Sequence, residues 1–180
     1  MQLTSLLLMV LFTTTIAAEA EQSVDEQIQE ALLPLPESLR AGATVVLESE
    51  PGKRTVLRPG DSQIICRADT PAPGFSVVCY HSSADALFTR SEQLTAEGRS
   101  EEESRDILSA EVNSGKLPVA KGAAYYRLAG ASPHTALTMM GVFLPNATSE
   151  STGLSTEPNN YRPWLMWAGT AAAHIMIPGK

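Results

Sequence analysis

Three histidines (His81, His134 and His174) and two cysteines (Cys66 and Cys79) are the residues of this 180-residue chain whose types most readily carry site chemistry. Neutral imidazole is the commonest protein ligand for zinc and suits iron equally well. His174 sits inside the apolar run Ala171 to Ile177, and His134 stands just before a second apolar run that contains Met139 and Met140. If the strands formed by these runs are neighbours, His134 and His174 could meet and, with a carboxylate nearby, hold Zn or Fe. No His-x-x-x-His or His-Glu-x-x-His spacing reinforces that signal. The competing expectation is a buried histidine that holds a backbone carbonyl.

Methionines and tryptophans give a second candidate. Met139, Met140, Met166 and Met176, together with Trp164 and Trp167, could line an apolar ligand pocket or hold haem through a His/Met pair. Methionine also fills irregular gaps in ordinary cores, and there is no Cys-x-x-Cys-His attachment signal for haem. The candidate ligand-binding residues are His134, His174, Trp164, Trp167 and Met140. The first expectation is that no cofactor is needed, with Zn, Fe or haem as the alternative. Nucleophilic catalysis has little support. Gly-x-Ser-x-Gly is absent, and Cys79 and His81, two apart on one strand, lack the third group that orients such a dyad.

The two cysteines read as a disulfide. They are separated by the turn-forming stretch Thr70-Pro-Ala-Pro-Gly74, and their flanks, Gln63-Ile-Ile-Cys66 and Phe75-Ser-Val-Val-Cys79, are rich in β-branched and aromatic residues. Two strands stapled across the pair are expected, in keeping with an exported chain. Export itself is expected from residues 1–20. Residues 6–12 are a continuous apolar run, too short to span a bilayer, and Ala18-Glu-Ala20 matches a signal-peptidase pattern. The mature domain would be residues 21–180. The whole chain carries a formal net charge of −7, which becomes −6 without Glu19. That balance disfavours a general nucleic-acid binder, which needs Lys and Arg against phosphate. No membrane association is expected after cleavage. The partner would be a small molecule or a protein, and the oligomeric state is left open.

The elements that must position these groups follow from periodicity. Ser23-Val-Asp-Glu26 has capping-box spacing before a short helix over 24–33, which Pro34 ends. Residues 43–47 and 55–57 read as a hairpin around Glu50-Pro-Gly-Lys53, with antiparallel neighbours favoured throughout the N-terminal strands. After Cys79 the period changes, and two helices are expected between 83 and 115, ended by Gly98 and Gly115. Residues 123–128 and 138–144 read as strands, 146–160 as a polar surface loop, and 164–167 with 174–177 as a closing strand pair. On alternation His174 and Met176 face away from Ala173, Ile175 and Ile177. The expected fold is α+β: a single domain whose antiparallel sheet is built from both ends of the mature chain, with two helices packed on one face.

The chain's end also resembles a group of exported bacterial proteins that close with a Pro-aromatic-x-Met-Trp-x-Gly-Thr…Ala-His-Ile-Met-Ile-Pro pattern. Here this reads Pro163-Trp-Leu-Met-Trp-Ala-Gly-Thr170, then Ala173-His-Ile-Met-Ile-Pro178. Thr55-Val-Leu-Arg-Pro-Gly60, the Cys66 and Cys79 pair around Pro73-Gly74, and Pro133-His134 before a strand ending Leu144-Pro145 are similar too. The Trp-rich segment those proteins carry after the second cysteine is replaced by Tyr80-His-Ser-Ser83. No activity is attached to the group, so the resemblance implies export and a shared fold. Two readings of function stand: an exported domain that binds a small ligand or partner, or a metal- or haem-dependent enzyme that uses His134 and His174.

Overall fold

The computed structural model describes residues 22–70 and 73–179. The expected signal peptide over 1–20 lies outside the described residues. Helix α1 (Val24–Ala31) starts where expected, with Ser23 and Glu26 forming a reciprocal capping box. A single turn, α2 (Glu37–Arg40), follows Pro36. Four strands come next: β1 (Thr44–Glu50), β2 (Lys53–Arg58), β3 (Ile64–Arg67) and β4 (Phe75–His81). A 3-10 turn leads into α3 (Asp85–Ala96), and α4 (Glu101–Asn113) carries a second capping box, from Ser100 to Glu103. Strands β5 (Ala124–Gly130) and β6 (Leu137–Phe143) form a hairpin, and a short helix α5 (Ser149–Thr152) opens the polar stretch. Strands β7 (Trp164–Met166) and β8 (His174–Pro178) close the chain.

The architecture is α+β, and the sheet is mostly antiparallel, with eight strands in the order β2-β1-β3-β4-β5-β6-β8-β7. One pairing departs from the expected antiparallel run: β1 and β3 are parallel, Val45 opposite Cys66. The reason is a tight crossing. After β2 the chain passes over the start of β1 at Gly60, where a Cβ would come within 2.3 Å of the Gly42 carbonyl oxygen and 2.5 Å of the Thr44 nitrogen. Only glycine permits that approach. The backbone N–H of Ser62 then donates to the Gly42 carbonyl at 2.9 Å and starts β3 on the far side of β1.

Alternation divides the buried residues between two clusters. Cys66 and Cys79 pair across β3 and β4 as a disulfide and are fully buried, with Ala31 of α1 and Leu35 of the link between α1 and α2 in the same cluster. Tyr80, next along β4, belongs to the other cluster, with Leu87 and Leu94 of α3, Leu108 of α4, Tyr125 and Phe143. Phe88 stacks on Tyr80 at 4.4 Å and meets Tyr125 edge-on at 5.6 Å. A third, small cluster of Ala147, Leu165 and Ala173 fixes the closing strands. The two edges of the sheet are β2, whose sequence is Lys-Arg-Thr-Val-Leu-Arg, and β7, which has three residues.

Candidate functional site

An apolar trough of about 500 Å³ lies over β5, β6 and β8, with Leu87, Phe88 and Leu108 of the helices along one side. Its floor is set by register. Tyr125, Arg127 and Ala129 of β5 stand opposite Gly141, Met139 and Leu137 of β6, and His174 and Met176 of β8 stand opposite Phe143 and Gly141. All of these share one face of the sheet. Gly141 is small for a reason: a Cβ there would sit 2.0 Å from the Tyr125 ring. The ring therefore lies over the strand, and its hydroxyl reaches the Met176 thioether at 3.0 Å.

His174 forms the inner end of the trough. It is only 5% exposed, and Nδ1 lies 2.8 Å from the Ala172 carbonyl oxygen. A carbonyl accepts only, so Nδ1 carries the proton and Nε2 keeps a free lone pair. Among the described residues Nε2 has no hydrogen-bond partner, and the ring lines the trough. Burial pushes the imidazole pKa below its ordinary value, against the opposing pull of the carbonyl, so the ring is neutral near pH 7. Phe143 and Trp167 each lie 5.4 Å from it between ring centroids, and Tyr125 lies 5.9 Å away. The expected face alternation of His174 and the expected carbonyl bond are both present, and the same histidine is also a wall of the cavity.

Trp167 reaches this position through its backbone. Its φ is +55°, a left-handed conformation that a bulky side chain adopts at a cost of about 1–2 kcal/mol. The Trp167 carbonyl is held by the Thr170 hydroxyl at 2.8 Å, and the next turn is tied down by the Gly169 N–H donating to Ala147 at 2.7 Å. Without that turn β7 would continue straight, and the indole would not cover His174.

The other candidates fall elsewhere. His134 is exposed in the β5–β6 turn, at the opposite end of β6 from Phe143, the residue that faces His174. The seven residues of β6 span about 20 Å, so the two imidazoles do not share a site. Among the described residues no group of three His, Cys, Asp or Glu side chains is placed to hold a metal ion. Met140 pairs with Tyr126 and Ile177 on the reverse face of the sheet, and its neighbour Met139 lines the trough instead. Trp164, opposite Met176, is on the trough's face but on the edge strand, outside the lining. His81 bonds to Ser83 and Gln63 at the end of β4.

A second cavity, of about 540 Å³, adjoins the first and shares Arg127 with it, but its lining is charged. Here Arg67, 4% exposed, donates from Nε to the Tyr80 hydroxyl at 2.6 Å and pairs with Glu48 and Glu92. Arg54 forks onto Asp85 with both contacts at 2.9 Å, and Tyr80 donates to the same carboxylate at 2.6 Å. Burial opposes the Asp85 charge, but the hydrogen bonds from Arg54 and Tyr80 outweigh it and hold the carboxyl below the usual range. Burial raises Glu92. These groups pair with one another, although Arg54 Nε and Arg67 Nη1 are left without a hydrogen-bond partner among the described residues, and together they read as a structural network tying β1, β2 and β3 to α3.

The sequence expectations missed this network and Arg127. The available signal for Arg127 was alternation: in Tyr125-Tyr-Arg-Leu-Ala129 it has the parity of Tyr125. The chain matches no family model, no curated protein and no solved structure. No described helix is long and apolar enough to cross a membrane.

Proposed function

We propose that the protein is an exported, non-enzymatic domain that binds a small apolar ligand in the trough, with α3 and α4 forming a two-helix layer along one side of it. The observation that carries this reading is the pairing of an apolar cavity of about 500 Å³ with one neutral, nearly buried histidine whose Nε2 is unpartnered among the described residues. Ligand sites have this composition: a mostly apolar lining within the range of about 300–1,000 Å³, with few convergent polar groups. Nε2 would accept a hydrogen bond from a ligand hydroxyl. Export is supported by the apolar run and cleavage pattern of residues 1–20, the resemblance at the chain's end and the Cys66–Cys79 disulfide.

The test is a titration of the purified protein with 1-octanol, read on ¹³C-methyl methionine resonances. The methyl signals of Met139, Met166 and Met176 should move with a common dissociation constant, while Met140, on the reverse face, should stay in place. Shifts at Met140 equal to those at Met139, or no saturable shift at all, would remove the reading.

A further inference from the structure

Arg127 marks the trough as a site for an acid. It is the one cation among the lining residues, and it sits toward the mouth, opposite Met139 and two pairing steps from the exposed Leu137. Among the described residues it makes no ion pair, and its contact is a hydrogen bond from Nη2 to the Ser76 hydroxyl at 3.2 Å. The carboxylates nearby have other partners. Asp69 accepts the Ser76 backbone N–H at 3.0 Å, Glu50 pairs with Lys53, and Glu48 and Glu92 are taken by Arg67. The guanidinium therefore keeps open donors beside an apolar channel that runs inward to His174.

We propose that the trough takes an amphipathic acid, its apolar body along Met139 and Met176 and its carboxylate on the Arg127 guanidinium. This rests on the ligand-binding reading above and narrows it to one chemical class. Arginine is suited to the role because its planar fork matches a carboxylate with two parallel hydrogen bonds, and charge-assisted bonds of this kind are about twice as strong as neutral ones. An uncharged ligand leaves those donors to water, and an ammonium ligand meets like charge. The inner end offers no group of opposite sign to a second charge, because its described lining is the aromatic rings of Tyr125, Phe143 and Trp167, the Met176 thioether and a neutral imidazole. The class is thus one acidic group on an apolar body rather than a diacid.

The experiment compares octanoate, 1-octanol and octylammonium at pH 7 on the methionine methyl resonances, in the native protein and in Arg127→Gln and Arg127→Lys. Octanoate should bind about tenfold more tightly than octanol, and octylammonium most weakly. Added salt should narrow the octanoate–octanol gap. The gap should close in Arg127→Gln and survive in part in Arg127→Lys. Equal affinities for octanoate and octanol in the native protein would overturn the proposal and leave the ligand-binding reading intact, as would a gap untouched by Arg127→Gln. Failure of all three probes to bind would sink that reading itself.

Discussion

The indole of Trp167 stands edge-on to the imidazole of His174, at 83° and 5.4 Å between centroids, and closes the inner end of the trough over a neutral ring. Burial in this aromatic setting depresses the His174 pKa, and the consequence for stability has a definite sign. In the unfolded chain the imidazole takes up a proton below about pH 6.5, while the folded state resists it. The unfolded state therefore binds more protons in the window between the depressed folded value and 6.5, and stability falls as pH drops through that window. Above 6.5 the group contributes no slope. Urea midpoints measured from pH 7.5 down to 5 should show this loss in the native protein and a flatter profile in His174→Phe. An identical slope in both would remove the assignment. Asp85 and Glu111, held low, act only below the ordinary carboxylate range, and Glu92, raised by burial, acts with opposite sign. The difference between the two proteins isolates the histidine.

Gly141 should not tolerate a methyl group. Its Cβ would meet the Tyr125 ring at 2.0 Å, and that ring is held by its own burial and by its contact with Met176. Gly141→Ala is expected to cost about 1–3 kcal/mol by overpacking. The cost should shrink sharply in a Tyr125→Ala background, because the two positions share one space. Additive unfolding energies in that cycle would contradict the packing described.

The disulfide should contribute substantially to stability and stay closed to reagents. Cys66 and Cys79 lie thirteen positions apart, and closing a loop of that size is worth about 3 kcal/mol. Both cysteines are fully buried between β3, β4 and α1. The double replacement Cys66→Ala with Cys79→Ala should lower stability by about that amount. Dithiothreitol with iodoacetamide should add no mass until denaturant is present. Rapid alkylation of the native protein would refute the burial.

Arg67 is the cation on which the charged network depends. Arg67→Met leaves the Glu48 and Glu92 carboxylates without their shared cation and the Tyr80 hydroxyl without a donor. Removing one partner of a buried ion pair costs about 3–5 kcal/mol, whereas replacing both partners with apolar residues can be nearly neutral. Arg67→Met should therefore unfold at markedly lower urea, and Glu48→Met added to it should recover part of the loss. A single replacement that left the midpoint unchanged would show the network to be idle.

Local chemistry was the part of the fold legible in the sequence. Ser23 with Glu26 announced the first helix and forms the reciprocal cap, as Ser100 with Glu103 does at the start of α4. The disulfide followed from cysteine count and flanking strands, and the facing of His174 from simple alternation. What could not be read was set by non-local geometry. The parallel pairing of β1 with β3 depends on how closely Gly60 crosses Gly42. The separation of His134 from His174 is a matter of register between β6 and β8, which neither strand encodes alone. Met139 and Met140 look equivalent until the pairing of β6 with β5 and β8 sets Met139 in the trough and Met140 on the reverse face. The charged network joins residues as distant as Arg67 and Glu92, whose partnership no spacing rule anticipates.

The sheet ends in β2 and β7, and each is unsuited to templating another chain; on β7 the Leu165 N–H is already donated to the Ser155 carbonyl at 2.8 Å. Strand β2 carries Lys53, Arg54 and Arg58, charged side chains of the kind that blunt an edge, and each is already held within the chain: Lys53 by Glu50, Arg54 by Glu48 and Asp85, and Arg58 by the Arg40 and Ala43 carbonyls. Strand β7 is three residues long and follows Pro163, which has no N–H to offer an incoming strand. An eight-stranded sheet with such ends can stop where it does without a further chain to cap it, because neither edge offers an incoming strand a long, free row of backbone groups.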